Sequence, residues 1–323
     1  MIRFRQRPLA ALSSLGKTGF PSVVLSLGAL LVFSGCSVRS LAINALADSL
    51  AESGDVYAAD DDPELVRDAT PFALKTIESL LAEKPDHRTL LLTACRGFAQ
   101  YAYAFVETEA ERLEEVDFEA SERQYGRALN LYLRARDYCL RSMELDHPGV
   151  TADLTLQDPS ALIDFQAKDV ELLFWTGASW GGAISVGQDR PELVADLPTV
   201  RALMDRALEL DETYEMGAIH AVLIALDALP EAMGGSPERA REHFNRAVEL
   251  SSGHNAAPYV TLAESVAVAE QDWEEFQDLL ETALAIDPDL EPSIRLANII
   301  AQEKARWLLD RTGDLFFSYP GDD

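Results

Sequence analysis

Positive charge is what this sequence has least of for its size. Its 323 residues include 27 lysines and arginines against 55 aspartates and glutamates, a formal net charge of −28. A deficit that large removes the basic footprint on which nucleic-acid binding depends, and with it a purely electrostatic hold on anionic lipid. The acidity reads first as solubility. Histidine (5) and cysteine (3) are also sparse. There is no His-Glu-x-x-His pair and no Cys/His cluster, so no metal site is expected. No glycine-rich loop ends in the lysine a phosphate cradle needs, and no cofactor is expected. Strand-like alternation of apolar and polar residues is missing throughout. No apolar run reaches the about 20 residues of a membrane-spanning helix.

The longest apolar run is Phe20 to Phe33, 14 residues, which suits the h-region of an export signal. Arg3, Arg5, Arg7 and Lys17 precede it, with no acid among them. Ser34-Gly35-Cys36 follow, small residues before a cysteine. This resembles a bacterial lipobox, with Phe33 where leucine is usual. The resemblance implies cleavage before Cys36, a signal peptide over 1–35, and diacylation of the Cys36 sulfur. Two or more acyl chains anchor stably where one is marginal. Ser37 in place of Asp points to the outer rather than the inner membrane. Cys95 and Cys139 remain in an oxidising compartment, where a disulfide and two buried thiols are both open readings.

What the chain has in quantity is helix pattern, with 48% hydrophobic residues to bury. Residues 36–62 read as an N-terminal segment with a short helix from Val38 to Leu50. Asp60-Asp61-Asp62-Pro63 reads as a helix start rather than a calcium loop, whose spacing is missing. Helices are expected over Glu64–Lys84, His87–Leu113, Glu122–Leu145, Ala161–Val186 and Glu291–Asp310, with a loop over Gly149–Ser160. Three segments end alike: Ala207 to Asp211, Ala247 to Ser251 and Ala283 to Pro288. Met204, Phe244 and Leu280 stand three positions before the three alanines. The stop residues Asp211, Ser251 and Asp287 lie 40 and then 36 positions apart, which is the signature of helical hairpin repeats. The fold expected is all-α, a stack of tetratricopeptide-like (TPR-like) hairpins over 63–310 with a tail over 311–323.

Two sites compete on the most apolar helix. Gly177-Ala178-Ser179-Trp180-Gly181 matches the Gly-x-Ser-x-Gly elbow of serine hydrolases. That elbow needs a strand before it and a sheet beneath it, which this sequence does not offer. Phe174, Trp175, Trp180, Gly181, Gly182 and Ile184 combine bulk with missing side chains, the makings of an apolar ligand cavity. Ordinary core packing between repeats is the commoner use of such a helix.

Three stretches then line up with one family. They are Phe174 to Ser185, the Gly-Gly turn from Leu229 to Ala240, and Arg295-Leu296-Ala297-Asn298 with Ala305-Arg306-Trp307-Leu308-Leu309. Together with the lipobox they resemble the TatT component family, lipid-anchored TPR-like proteins associated with tripartite ATP-independent periplasmic (TRAP) transporters. The resemblance implies a non-enzymatic periplasmic protein that partners a TRAP-type solute-binding protein. It also implies a homotrimer whose protomers hold a cavity for an apolar or organic-acid solute. The alternatives are a TPR scaffold of outer-membrane assembly and, behind it, a lipid-anchored esterase using Ser179.

Overall fold

The computed structural model describes residues 41, 43–50, 54–158 and 160–319. The chain divides into two units, Met1–Leu46 and Ala47–Asp323. Of the first, residues 41 and 43–46 are described, and they are helical. The expected signal peptide and Cys36 lie outside the described residues.

The second unit is all-α, without a strand among the described residues. Its principal helices are α1 (Pro63–Glu83), α2 (Arg88–Tyr101), α3 (Phe118–Asp146), α4 (Val170–Val186), α5 (Leu197–Leu210), α6 (Ala218–Asp227), α7 (Pro237–Leu250), α8 (Ala257–Leu262), α9 (Trp273–Ala285) and α10 (Arg295–Asp310). Four of these starts carry a side-chain cap of the Asp or Ser kind. Asp62 caps α1 by accepting from the Leu65 amide at 3.0 Å, with Pro63 already holding the helical φ. Asp117 caps α3 through Ala120, Ser236 caps α7 through Arg239, and Asp272 caps α9 through Glu275.

The recurrent Met/Phe/Leu-x-x-Ala pairs fall on the ends of α5, α7 and α9. Met204, Ala207, Leu280 and Ala283 are wholly buried, and Ala247 nearly so. A small residue one turn after a bulky one lets a neighbouring helix approach, and burying each large side chain contributes about 1.5–3 kcal/mol. Consecutive helices pack on one another down the chain: α1 on α2, α2 on α3, α3 on α4, α4 on α5, α6 on α7, α8 on α9 and α9 on α10. The two cysteines meet where α2 packs on α3, forming a Cys95–Cys139 disulfide with Cα atoms 5.4 Å apart.

Several segments differ from the sequence expectation; α3 starts at Phe118 rather than Glu122, and the last helix at Arg295 rather than Glu291. The expected helix from His87 to Leu113 is helical throughout but widens into a π-helix over Ala102–Glu107 before Thr108–Leu113. The expected loop over Gly149–Ser160 contains a short helix, Val150–Thr155. Gly149 supplies the left-handed turn (φ +94°) that starts it, and the Glu144 carboxylate accepts from the amides of Gly149 and Thr151, both at 2.8 Å. The expected helix from Ala161 begins only at Val170. Asp164, Gln166, Lys168 and Asp169 interrupt the apolar pattern, and Asp169 caps backwards onto the Gln166 amide at 2.9 Å.

The last helix returns to the first hairpin. Arg295 donates to the Ala59 carbonyl at 3.0 Å. Further along, Lys304 pairs with Glu111 at 3.1 Å, Arg112 with Glu303 at 3.5 Å, and Arg311 with Glu115. The tail packs back in part: Phe316 is buried against Phe276, ring centroids 4.9 Å apart, while Phe317 is exposed.

Candidate functional site

Helix α4 carries every residue singled out for the cavity. It packs on α2, α3 and α5, and Phe174, Trp175, Trp180 and Ile184 are all buried. The glycines are places of close approach. A Cβ on Gly182 would fall 2.5 Å from the Tyr132 ring of α3, and one on Gly177 would fall 2.6 Å from Met204 Cε of α5. Gly181 is looser, with Val200 Cγ1 at 3.4 Å. Tyr132, Met204 and Val200 thus occupy the room that the missing side chains leave.

The two tryptophans differ. Trp180 Nε1 donates to Asp196 Oδ2 at 3.1 Å, and the Arg136 guanidinium lies 5.0 Å over its ring. Trp175 Nε1 is buried, and its contact with the Tyr214 hydroxyl falls short of full hydrogen-bonding geometry. Phe174 joins it edge-on at 5.0 Å, and Tyr214 approaches Phe174 at 5.3 Å. Tyr214 is held there by a strained turn in which Glu215 (φ +41°), Met216 (φ +55°) and Gly217 (φ +89°) are left-handed in succession. Non-glycine residues in that region are uncommon and collect at functional positions. Arg96 and Glu171 pair beside this cluster at 3.5 Å.

Ser179 is wholly buried and donates to the Thr176 carbonyl one turn back at 3.1 Å, inside a continuous helix. The strand-turn-helix context of a nucleophile elbow is not present around it. His220 and His243 belong to a different network, between α6 and α7. Their Nδ1 atoms lie 2.7 Å apart. His220 Nε2 meets Glu212 at 3.2 Å, and His243 Nε2 faces Asp227 Oδ2 at 3.4 Å. Burial lowers both imidazole pKa values, His243 further through the neighbouring His220. Asp227 itself is wholly buried and receives Arg201 at 2.6 Å and Arg239 at 3.0 Å. Glu212 is held down to about 2, chiefly by its hydrogen bonds with Arg246.

The residues that single-helix reasoning missed are polar and interior. Tyr132, the ring that fills the gap at Gly182, donates its hydroxyl to Glu107. Burial pushes the Glu107 carboxyl up to about 7 against the opposing effect of that hydrogen bond. Next to it, Lys304 of α10 bridges Glu111 at 3.1 Å and Glu264 at 2.9 Å. Burial disfavours the Lys304 charge, but Glu264 and Glu111 outweigh it and raise its pKa. Burial raises Glu111 as well. Glu107 and Glu264 each sit in a π-helix, Ala102–Glu107 and Ala263–Ala267. Such wide turns recur at functional sites, and no periodicity argument locates them. Among the described residues no group of three or more His, Cys, Asp or Glu side chains is arranged to hold a metal ion. No described helix is long and apolar enough to cross a membrane.

Two comparisons with known proteins bear on what this arrangement serves. The family model of the TRAP transporter T-component matches residues 59–316. The chain is also similar to an uncharacterized protein of Treponema pallidum (strain Nichols), 32% identical over 305 residues that cover 88% of this chain and 94% of that protein.

Proposed function

This chain belongs to the TRAP transporter T-component family, and from that membership we propose that it is a lipid-anchored periplasmic partner of a TRAP-type solute-binding protein. Membership over 59–316 is the observation that carries the reading. Cys36 is the acyl site in this reading, and Ser37 favours the outer membrane. The paired helices are TPR-like units, whose stacked array presents an extended surface to a partner. The assembly is a homotrimer.

The solute part of the proposal rests on α4. Trp175 offers a buried N–H whose contact with the Tyr214 hydroxyl falls short of full hydrogen-bonding geometry, and a carboxylate or carbonyl oxygen would satisfy it. Phe174 and Tyr214 lie against it to hold an apolar body; Trp180, Gly181, Gly182 and Ile184 follow on the same helix, where a solute would have to displace the Tyr132 and Val200 side chains. The protein holds an apolar or organic-acid solute there and exchanges it with the solute-binding protein. Catalysis has no part in this reading.

The test is a titration of the purified chain with a TRAP-type solute-binding protein of the same organism, followed calorimetrically. A complex at micromolar concentration or tighter is expected; heats no different from dilution would overturn the reading.

A further inference from the structure

The outer face of α3 carries a feature that solute binding leaves unused. Arg123, Arg127, Asn130, Arg134, Asp137 and Arg141 recur at steps of four and three residues, and all six are exposed. They form one row down the helix, about 27 Å long at 1.5 Å per residue. Two adjoining concavities of about 380 and 430 Å³ lie along it and share Asn130 and Arg134. Arg123, Arg127, Arg134 and Arg190 line the first, and no acid does. In a chain with two acids for every base, four guanidiniums around one hollow are far from the average surface.

These arginines are short of counter-charge. Arg127 donates to the neutral Tyr101 hydroxyl at 3.2 Å, and Arg141 to the Pro85 carbonyl at 2.8 Å. Among the described residues neither Arg127 nor Arg190 has an ion-pair partner. Arg123 reaches Glu119 only at 4.0 Å, with both side chains over two-thirds exposed, a contact of little energy. Arg134 shares Glu78, at 3.6 Å, with Lys75 and Tyr138. The one acid of the row, Asp137, is taken by its neighbour Arg136 at 3.0 Å. Three of the guanidiniums also lie over rings: Arg127 over Tyr101 at 5.6 Å, Arg134 over Phe98 at 5.3 Å and Arg141 over Tyr138 at 5.5 Å. Stacking engages the guanidinium face and leaves its N–H edges for acceptors in the plane. It also restrains long side chains before any partner arrives, which lowers the entropy lost on binding.

We propose that this row is a docking surface for an acidic face of a partner protein, one presenting several carboxylates in line. Length and openness favour that occupant over a small anion, which would touch only one or two exposed, solvent-screened guanidiniums. A bilayer is the poorer fit. An anionic plane faces the whole acidic body, whereas a protein face meets the row alone, within the about 8 Å over which charges act at physiological salt. The inference does not depend on the solute reading.

The probe is a fluorescently labelled octaglutamate peptide, followed by anisotropy with the full-length protein at low and at physiological ionic strength. Arg127→Gln/Arg134→Gln is compared with Arg67→Gln/Arg306→Gln, which removes the same charge from exposed positions elsewhere. The wild type and the control pair are expected to bind, more weakly as salt rises, and the row variant to lose about tenfold in affinity. Three results would overturn the proposal: no binding by the wild type at millimolar peptide, equal losses in both variants, or capture by phosphatidylglycerol vesicles but not by the peptide. If the row variant loses its helical circular dichroism, Arg123→Gln/Arg190→Gln takes its place, since neither side chain packs on a ring.

Discussion

Glu107 illustrates how one interior carboxyl sets a pH dependence. Its pKa of about 7 in the fold exceeds the ordinary carboxylate value because burial disfavours the charge. Between the unfolded value and the folded one, the unfolded chain releases the proton and the folded chain keeps it. The fold is therefore unpenalised at acid pH and loses stability as pH rises toward 7, with the full cost present above it. Glu107→Gln keeps an acceptor for the Tyr132 hydroxyl and removes the ionisation. It should raise stability by about 1–3 kcal/mol at pH 8 and leave it nearly unchanged at pH 4. Denaturant unfolding at the two values checks this; an equal gain at both would point to packing rather than charge. Nothing in the sequence marked Glu107 apart from its acidic neighbours, because its environment is made by α3 and α10, 25 residues and more away.

At the scale of single elements, helix positions were largely legible and helix irregularities were not. Asp62-Pro63 announces a start that the structure keeps, because capping is chemistry within one turn, whereas α3 begins at Phe118 on its Asp117 cap, four residues before the expected Glu122. The two π-helices and the late start of α4 answer to packing against other helices, which local pattern does not record. Glycine makes the same point with opposite signs. Gly182→Ala puts a Cβ 2.5 Å from the Tyr132 ring and should cost about 1–3 kcal/mol. Gly126→Ala, in α3 with nothing within 4 Å, should instead stabilise by about 0.5–1 kcal/mol through helix propensity. Thermal melts of the two variants should move in opposite directions. Equal and opposite shifts are not required, but a loss at Gly126 would mean that the hollow beside it is already filled.

The second unit as a whole is closed by charge as well as by core. Lys304 links its C-terminal helix to Glu111 near the first hairpin and to Glu264 of the second π-helix. Lys304→Met leaves those two carboxylates without their shared cation beside Glu107. Removing one partner of a fully buried pair costs about 3–5 kcal/mol; Glu264 is more than a third exposed, so a smaller loss of about 2–3 kcal/mol is expected at pH 8. The loss should shrink at pH 5, where Glu107 is protonated and no longer adds its charge beside the two carboxylates. Unfolding curves at the two pH values separate this from simple loss of packing, which would be independent of pH.

By itself the sequence determined the helical class, the ends of most helices, the repeat of small after bulky residues, and the family resemblance that the match over 59–316 bears out. Those properties are written in neighbours three or four positions apart, where one chain segment supplies both partners of each interaction. Only the tertiary structure decided that Cys95 bonds Cys139, that Tyr132 and Met204 fill the gaps at Gly182 and Gly177, and that Trp175 is left with no more than a poor contact to the Tyr214 hydroxyl. Each of these depends on how far apart two helices settle, and that distance is set by all the side chains between them at once.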